Sequence, residues 1–193
     1  MRGNRTTYLL MGIIILLMNV LVLWEIWGAG NHELYEEGEF IENTTAFSFM
    51  FSGILLLFLS LGNSGLERIL TLIFSATCLM FFLREVDVED FSIPHGLQLV
   101  ASGMGRNVVF SLVYLLLGWG VLANLRKRVD FKIGPLFRSE VAIVVMVGCG
   151  CILVGDFFQH LDSVMGEEIL EMNGGLLILL AAILHVRTPI WKG

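Results

Sequence analysis

Residues 8–27 read YLLMGIIILLMNVLVLWEIW, a run of twenty residues in which Glu25 is the single charge. As a helix it would rise about 30 Å, the thickness of a bilayer's hydrocarbon core. Arg2 and Arg5 precede it, and Gly28-Ala29-Gly30 follows it. The run is longer than the core of a signal peptide and Gly-Ala-Gly makes a poor cleavage site, so it reads as an uncleaved anchor. Tyr8 falls where one end meets a headgroup layer, and Trp24 and Trp27 fall at the other.

Five further apolar runs follow, at 45–61, 66–83, 108–125, 141–158 and 169–186. Several are a turn short, which tilt or local thinning of the bilayer accommodates. Gly62-Asn63-Ser64-Gly65 predicts a tight turn that makes the second and third helices an antiparallel hairpin. Gly134-Pro135 should end an element before the fifth helix. Gly148, Gly150, Gly155, Gly174 and Gly175 are expected to let helices approach closely. The expected fold is all-α, a single transmembrane domain over residues 1–193 with six spanning helices.

Composition supports this class. The chain is 56% hydrophobic and only 16% charged, too little polar surface for a soluble globule. Its net charge of -6 argues against a nucleic-acid partner, which would need a basic patch. Cys78, Cys149 and Cys151 all lie in apolar runs without CxxC spacing, so they read as small buried residues and not as a disulfide or redox framework.

The charges are sorted. With the six runs as spans, ten of the twelve Lys and Arg residues fall at one end of the helices, and fifteen of the eighteen Asp and Glu residues fall at the other. Basic residues beside short loops stay cytoplasmic, which predicts a bacterial inner membrane protein with both termini inside. Arg126, Lys127, Arg128, Lys132 and Arg138 read first as topology determinants and second as binders of anionic lipid heads. Acidic residues barely influence orientation, so the acidic end calls for its own explanation.

Four groups of ionisable residues meet that end. Glu25 closes the first helix, and Glu33 to Glu42 lead into the second. Arg84, Glu85 and Asp87 follow the third, with His95 in the loop beyond. Asp156, His160, Glu168 and Glu171 flank the last turn. A carboxylate at the edge of hydrocarbon is costly unless paired, protonated or bound to a cation. Converging carboxylates repel one another, and a divalent cation relieves that repulsion. The candidate metal ligands are therefore Glu42, Glu85, Asp87, Asp156, His160, Glu168 and Glu171. Oxygen ligands alone would suit calcium or magnesium, whereas inclusion of His160 or His95 would favour zinc, manganese or iron. No haem or nucleotide is expected, because the four histidines make no paired positions on two helices and no phosphate motif occurs.

Plainer readings stand beside these. The run from Glu33 to Glu39 reads as a solvated loop. Glu168 and Glu171 fit the first turn of the sixth helix, where the helix dipole favours carboxylates. Asn43, Thr44 and Thr45 offer N-cap oxygens to the second helix. Arg84 would pair with Glu85 or Asp87. His160 shares a helical face with Asp156 as ligand, general base or interfacial hydrogen-bonding group. His32, His95 and His185 read as bystanders, and Asn19 and Asn124 as lying toward helix ends or interfaces.

The stretch from Glu37 to Ala46, EGEFIENTTA, resembles the entry segment of small uncharacterised bacterial polytopic membrane proteins. Phe82 to Asp87 and Glu167 to Gly174 are similar to segments of such proteins too; this likeness implies the fold but no activity. The acidic entry with Asn43-Thr44 also resembles the alkaline ceramidase group of membrane hydrolases, which implies cation binding there. That group's late-helix HxxxH pair has no counterpart in this chain.

Three functions compete at this level. One is a divalent-cation site acting on a lipid or lipid-linked substrate, the metal activating water and a carboxylate serving as base. Another is a non-catalytic subunit or scaffold, or a homo-oligomer, that docks a basic protein partner through the acidic face. The third, transport, would need a central intramembrane acid, and no run shows one.

Overall fold

In the computed structural model, the described residues are 2–30, 40–86, 94–126, 139–161 and 163–187. They form seven helices: α1 Arg2–Trp27, α2 Phe40–Gly62, α3 Gly65–Glu85, α4 His95–Ala101, α5 Gly103–Leu125, α6 Glu140–Gln159 and α7 Val164–Arg187. All but α4 are long and apolar enough to cross a membrane. The tight turn is present, with Asn63 and Ser64 joining α2 to α3 and Gly65 at φ +58°. Gly134-Pro135 lies outside the described residues.

The helices extend beyond the apolar runs, mostly toward the acidic end. α2 begins five residues before Thr45 and α7 five before Ile169. Polar residues ride inside these helices because their side chains bond the backbone one turn back. Thr44 Oγ1 donates to the Phe40 carbonyl at 2.8 Å, Thr45 Oγ1 to Ile41 at 3.0 Å, and Ser52 Oγ to Ser48 at 2.6 Å. Asn43, Thr44 and Thr45 are thus interior to α2 and do not cap it. The loop expected around His95 contains α4, which Ser102 in extended conformation separates from α5. A Cβ on Gly105 would overlap the Leu99 carbonyl, so that bend requires glycine.

Two antiparallel hairpins, α2–α3 and α6–α7, meet through α2 and α7; α5 adds outside α3, and α1 packs on α7. More than half of the apolar window of α7 is buried, whereas α5 buries no residue and turns Leu115, Leu116 and Trp119 outward. Hydrocarbon is as apolar as leucine, so helix association here depends on close packing and hydrogen bonds. A Cβ on Gly174 would lie 2.6 Å from Ile152 Cγ1 and 2.9 Å from the Gly148 carbonyl oxygen. Gly155 packs on α7 and Gly175 on α2, but Gly150 faces open space and contributes no close approach. Cys78 is buried as expected; Cys149 is exposed and Cys151 half-buried.

Asn19 is not near a helix end. It lies eight residues before Trp27, about 12 Å along α1, and meets Asn173 of α7. Asn19 Nδ2 donates to Asn173 Oδ1 at 2.7 Å, and Asn173 Nδ2 donates back to Asn19 Oδ1 at 2.9 Å. The other N–H of each amide bonds its own helix, at the Ile15 and Ile169 carbonyls. All four N–H groups are satisfied, which sets the register of α1 on α7. Val22 and Ile26 pack beside this pair on Ile41, Met172 and Leu176.

Two stability measurements in detergent test this packing. Gly174→Ala is expected to destabilise by about 1–3 kcal/mol through overpacking against the α6 backbone, and Gly150→Ala to have no such effect. Asn19→Leu strands half of the Asn173 amide in apolar surroundings and should cost about 1–2 kcal/mol; adding Asn173→Leu should recover part of that loss.

Candidate functional site

The acidic end of α3 and α7 carries the most polar arrangement of the described bundle. Glu171 is the eighth residue of α7, about 10 Å inside the helix start, and only 5% of its side chain is exposed. Its position corrects the expectation that Glu168 and Glu171 sit in the first turn. The helix starts at Val164, its first-turn acid is Glu167, and the dipole falls off within that turn, so dipole stabilisation does not account for Glu171.

A guanidinium does account for it. Arg84, in the last turn of α3, donates from Nη2 to both Glu171 oxygens at 2.7 and 2.9 Å, and from Nε to Glu85 Oε1 at 2.8 Å. The pairing with Glu85 was legible from adjacency, but the one with Glu171, 87 positions away, was not. Phe81 lies under the guanidinium at 5.4 Å, which adds a cation–π contact. Arg106 of α5, the other cation of this end, donates from Nη1 to the Leu83 carbonyl at 2.6 Å and so holds the end of α3 to α5.

Other carboxylates gather around this ion pair. Glu168 interacts electrostatically with Glu171, Glu85, Glu42 and Glu167. Glu85 feels Glu171 and Glu42 as well as Arg84. Glu42 stands in the first turn of α2, half-buried, facing the same cluster. Glu168 is half-buried and makes neither a hydrogen bond nor an ion pair with any described residue. Four of the seven proposed ligands, Glu42, Glu85, Glu168 and Glu171, thus stand within electrostatic range of one another at this end, without forming, among the described residues, a group that could hold a metal ion.

The remaining proposed ligands stand apart from that group. Asp156 and His160 are both exposed, at the end of α6. Nδ1 of His160 lies 2.9 Å from the Asp156 backbone carbonyl and not from its carboxylate, so the ring completes the helix end. Both interact with Glu167, at the edge of the cluster. Asp87 lies outside the described residues. No group of three or more His, Cys, Asp or Glu among the described residues has the spacing of a ready metal cage. At the opposite end, Arg126 is exposed after α5, while Lys127, Arg128, Lys132 and Arg138 lie outside the described residues.

Among the described residues, Arg84 bonds two of these carboxylates, Glu85 and Glu171. One sequence signal pointed here: Arg84 and Arg106 are the two cations on an otherwise acidic end, and a cation at the edge of hydrocarbon needs an anion or a carbonyl.

Removal of either partner of the ion pair is expected to destabilise unequally. Arg84→Gln leaves a buried carboxylate without its cation and should cost about 3–5 kcal/mol. Glu171→Gln leaves a guanidinium that reaches water and retains Glu85, so about 1–2 kcal/mol is expected. Thermal unfolding of the two variants in the same detergent checks the order.

No family model, no curated protein and no solved structure matches this chain, so its own residues carry the reading of the site.

Proposed function

We propose that this chain is a bacterial inner membrane protein that takes up a divalent cation at its acidic end, with Glu168 as the principal ligand and Glu42 and Glu85 beside it. The observation that carries the reading is Glu168 itself: a half-buried carboxylate within a long apolar helix, coupled electrostatically to four other carboxylates and without an ion pair among the described residues. A charge so placed needs a proton or an ion, and oxygen ligands from three helices suit a hard divalent ion such as calcium. Asp156 and His160 lie on the rim, where they would shape the approach of the ion.

The ten basic residues at the opposite end support an orientation with both termini in the cytoplasm and the cation site outside. The site stands where water meets hydrocarbon, the depth at which lipid headgroups lie, so a lipid or lipid-linked molecule is the substrate class that fits. A bound cation would polarise such a substrate or its attacking water, and a neighbouring carboxylate would accept the proton.

Elemental analysis of the detergent-purified chain, without a histidine tag and without added metal, tests the reading beside Glu168→Gln. The variant keeps the Arg84–Glu171 pair and should fold. Near-stoichiometric metal in the parent that disappears in the variant is the expected result; equal metal in both, or none in either, would overturn it.

A further inference from the structure

α5 meets the rest of the bundle along one side. Arg106 bonds the Leu83 carbonyl, Tyr114 bonds Thr77 Oγ1, and a Cβ on Gly120 would lie 3.1 Å from Ile69 Cδ1, all on α3. The opposite side has a pattern of its own. Met104, Val108, Ser111, Leu115, Gly118 and Leu122 follow one another at alternating intervals of four and three residues. A period of about 3.5 residues is the one that keeps two helices in contact along their length in a shallow left-handed crossing. This seam is open: Met104 is 83% exposed and Leu115 70%, and a Cβ on Gly118 would meet nothing within 4 Å.

One hydroxyl indicates what covers the seam. Ser111 stands about 12 Å inside the start of α5, exposed, and makes no hydrogen bond with any described residue. Every other serine and threonine of the apolar runs donates to a carbonyl, of its own helix or, for Ser75, of α2. An acyl chain offers Ser111 no partner, whereas a hydroxyl is both donor and acceptor and so complements a copy of itself. Copies of one membrane protein insert the same way round, and a two-fold axis along the helices then brings equivalent residues together at equal depth. We propose that α5 is the contact face of a parallel homodimer, with Ser111 bonded to Ser111 across the axis, Leu115 and Leu122 packed on their counterparts, and Gly118 admitting the facing helix. The other outward helix, α1, makes no such demand. Between Leu9 and Leu23 its one polar side chain, Asn19, is already bonded to Asn173, so lipid alone suits that face.

Disulfide trapping in membranes tests the contact, in the full chain carrying Cys149→Ala and Cys151→Ala so that the exposed and half-buried thiols are removed. On mild oxidation Ser111→Cys and Leu122→Cys, on the seam, are expected to give a covalent dimer. Leu116→Cys, 74% exposed but off the seam, should give about tenfold less. No covalent dimer at either seam position, or as much at 116 as at 111, overturns the proposal and leaves the face to lipid. Energy transfer between labelled copies in phosphatidylcholine vesicles gives the dimer's Kd. Gly118→Leu fills open space in the protomer, so its circular dichroism should be unchanged while its Kd rises about tenfold or more. Ser111→Ala should raise the Kd about three- to tenfold. A Kd that Gly118→Leu does not move places the contact elsewhere and also overturns the proposal.

Discussion

A carboxylate some 10 Å inside a membrane helix needs a positive charge, and that requirement organises the acidic end of this bundle. Glu171 is met by Arg84, and Arg84 reaches it only because α3 ends beside α7. That adjacency depends in turn on the tight turn at Asn63-Ser64, which makes α3 run back along α2, and on α2 packing against both α3 and α7. Arg106 then holds the same end of α3 to α5. The ion pair thus stands at the convergence of the two hairpins, with Glu42 and Glu168 near it at the acidic end.

The rest of the bundle solves a different problem, association without a hydrophobic driving force. Three devices serve it. Glycines 148, 155 and 174 bring the α6 and α7 backbones together, and Gly175 does the same for α7 and α2. Hydroxyls are used twice: Thr45, Ser48 and Ser52 turn back onto their own helix, while Ser75 Oγ crosses to the Gly53 carbonyl at 2.7 Å and Tyr114 to Thr77 Oγ1 at 3.0 Å. The third device is the amide ring of Asn19 and Asn173, which makes α1 part of the bundle although most of its surface faces outward.

Much of this was legible in the sequence, and the errors share a cause. The six helices followed from run length, and the α2–α3 turn from its Gly-Asn-Ser-Gly. Helix starts were misplaced because hydropathy stops where polar residues begin, whereas a helix continues for as long as its polar side chains are satisfied; Glu42 is therefore a helix residue and not a loop residue, and Glu168 lies past the first turn of its helix. Asp156 and His160 share a face by spacing, as expected, but spacing does not tell whether that face points inward, and it points to the exposed side. Glu42, Glu85, Glu168 and Glu171 were named as acids at one end, without any means of knowing that they would meet.

The sequence by itself determined the class, the number of apolar helices and the sorting of charge to their two ends, because each depends on the transfer of local segments between water and hydrocarbon. Only the tertiary structure decided which charges pair, which glycines lie at contacts and how deep each polar group sits. Those depend on the order of helices around the bundle and on their rotation. Residues 84 and 171, like 19 and 173, are brought together by packing between helices far apart in the chain, and no local pattern encodes that meeting.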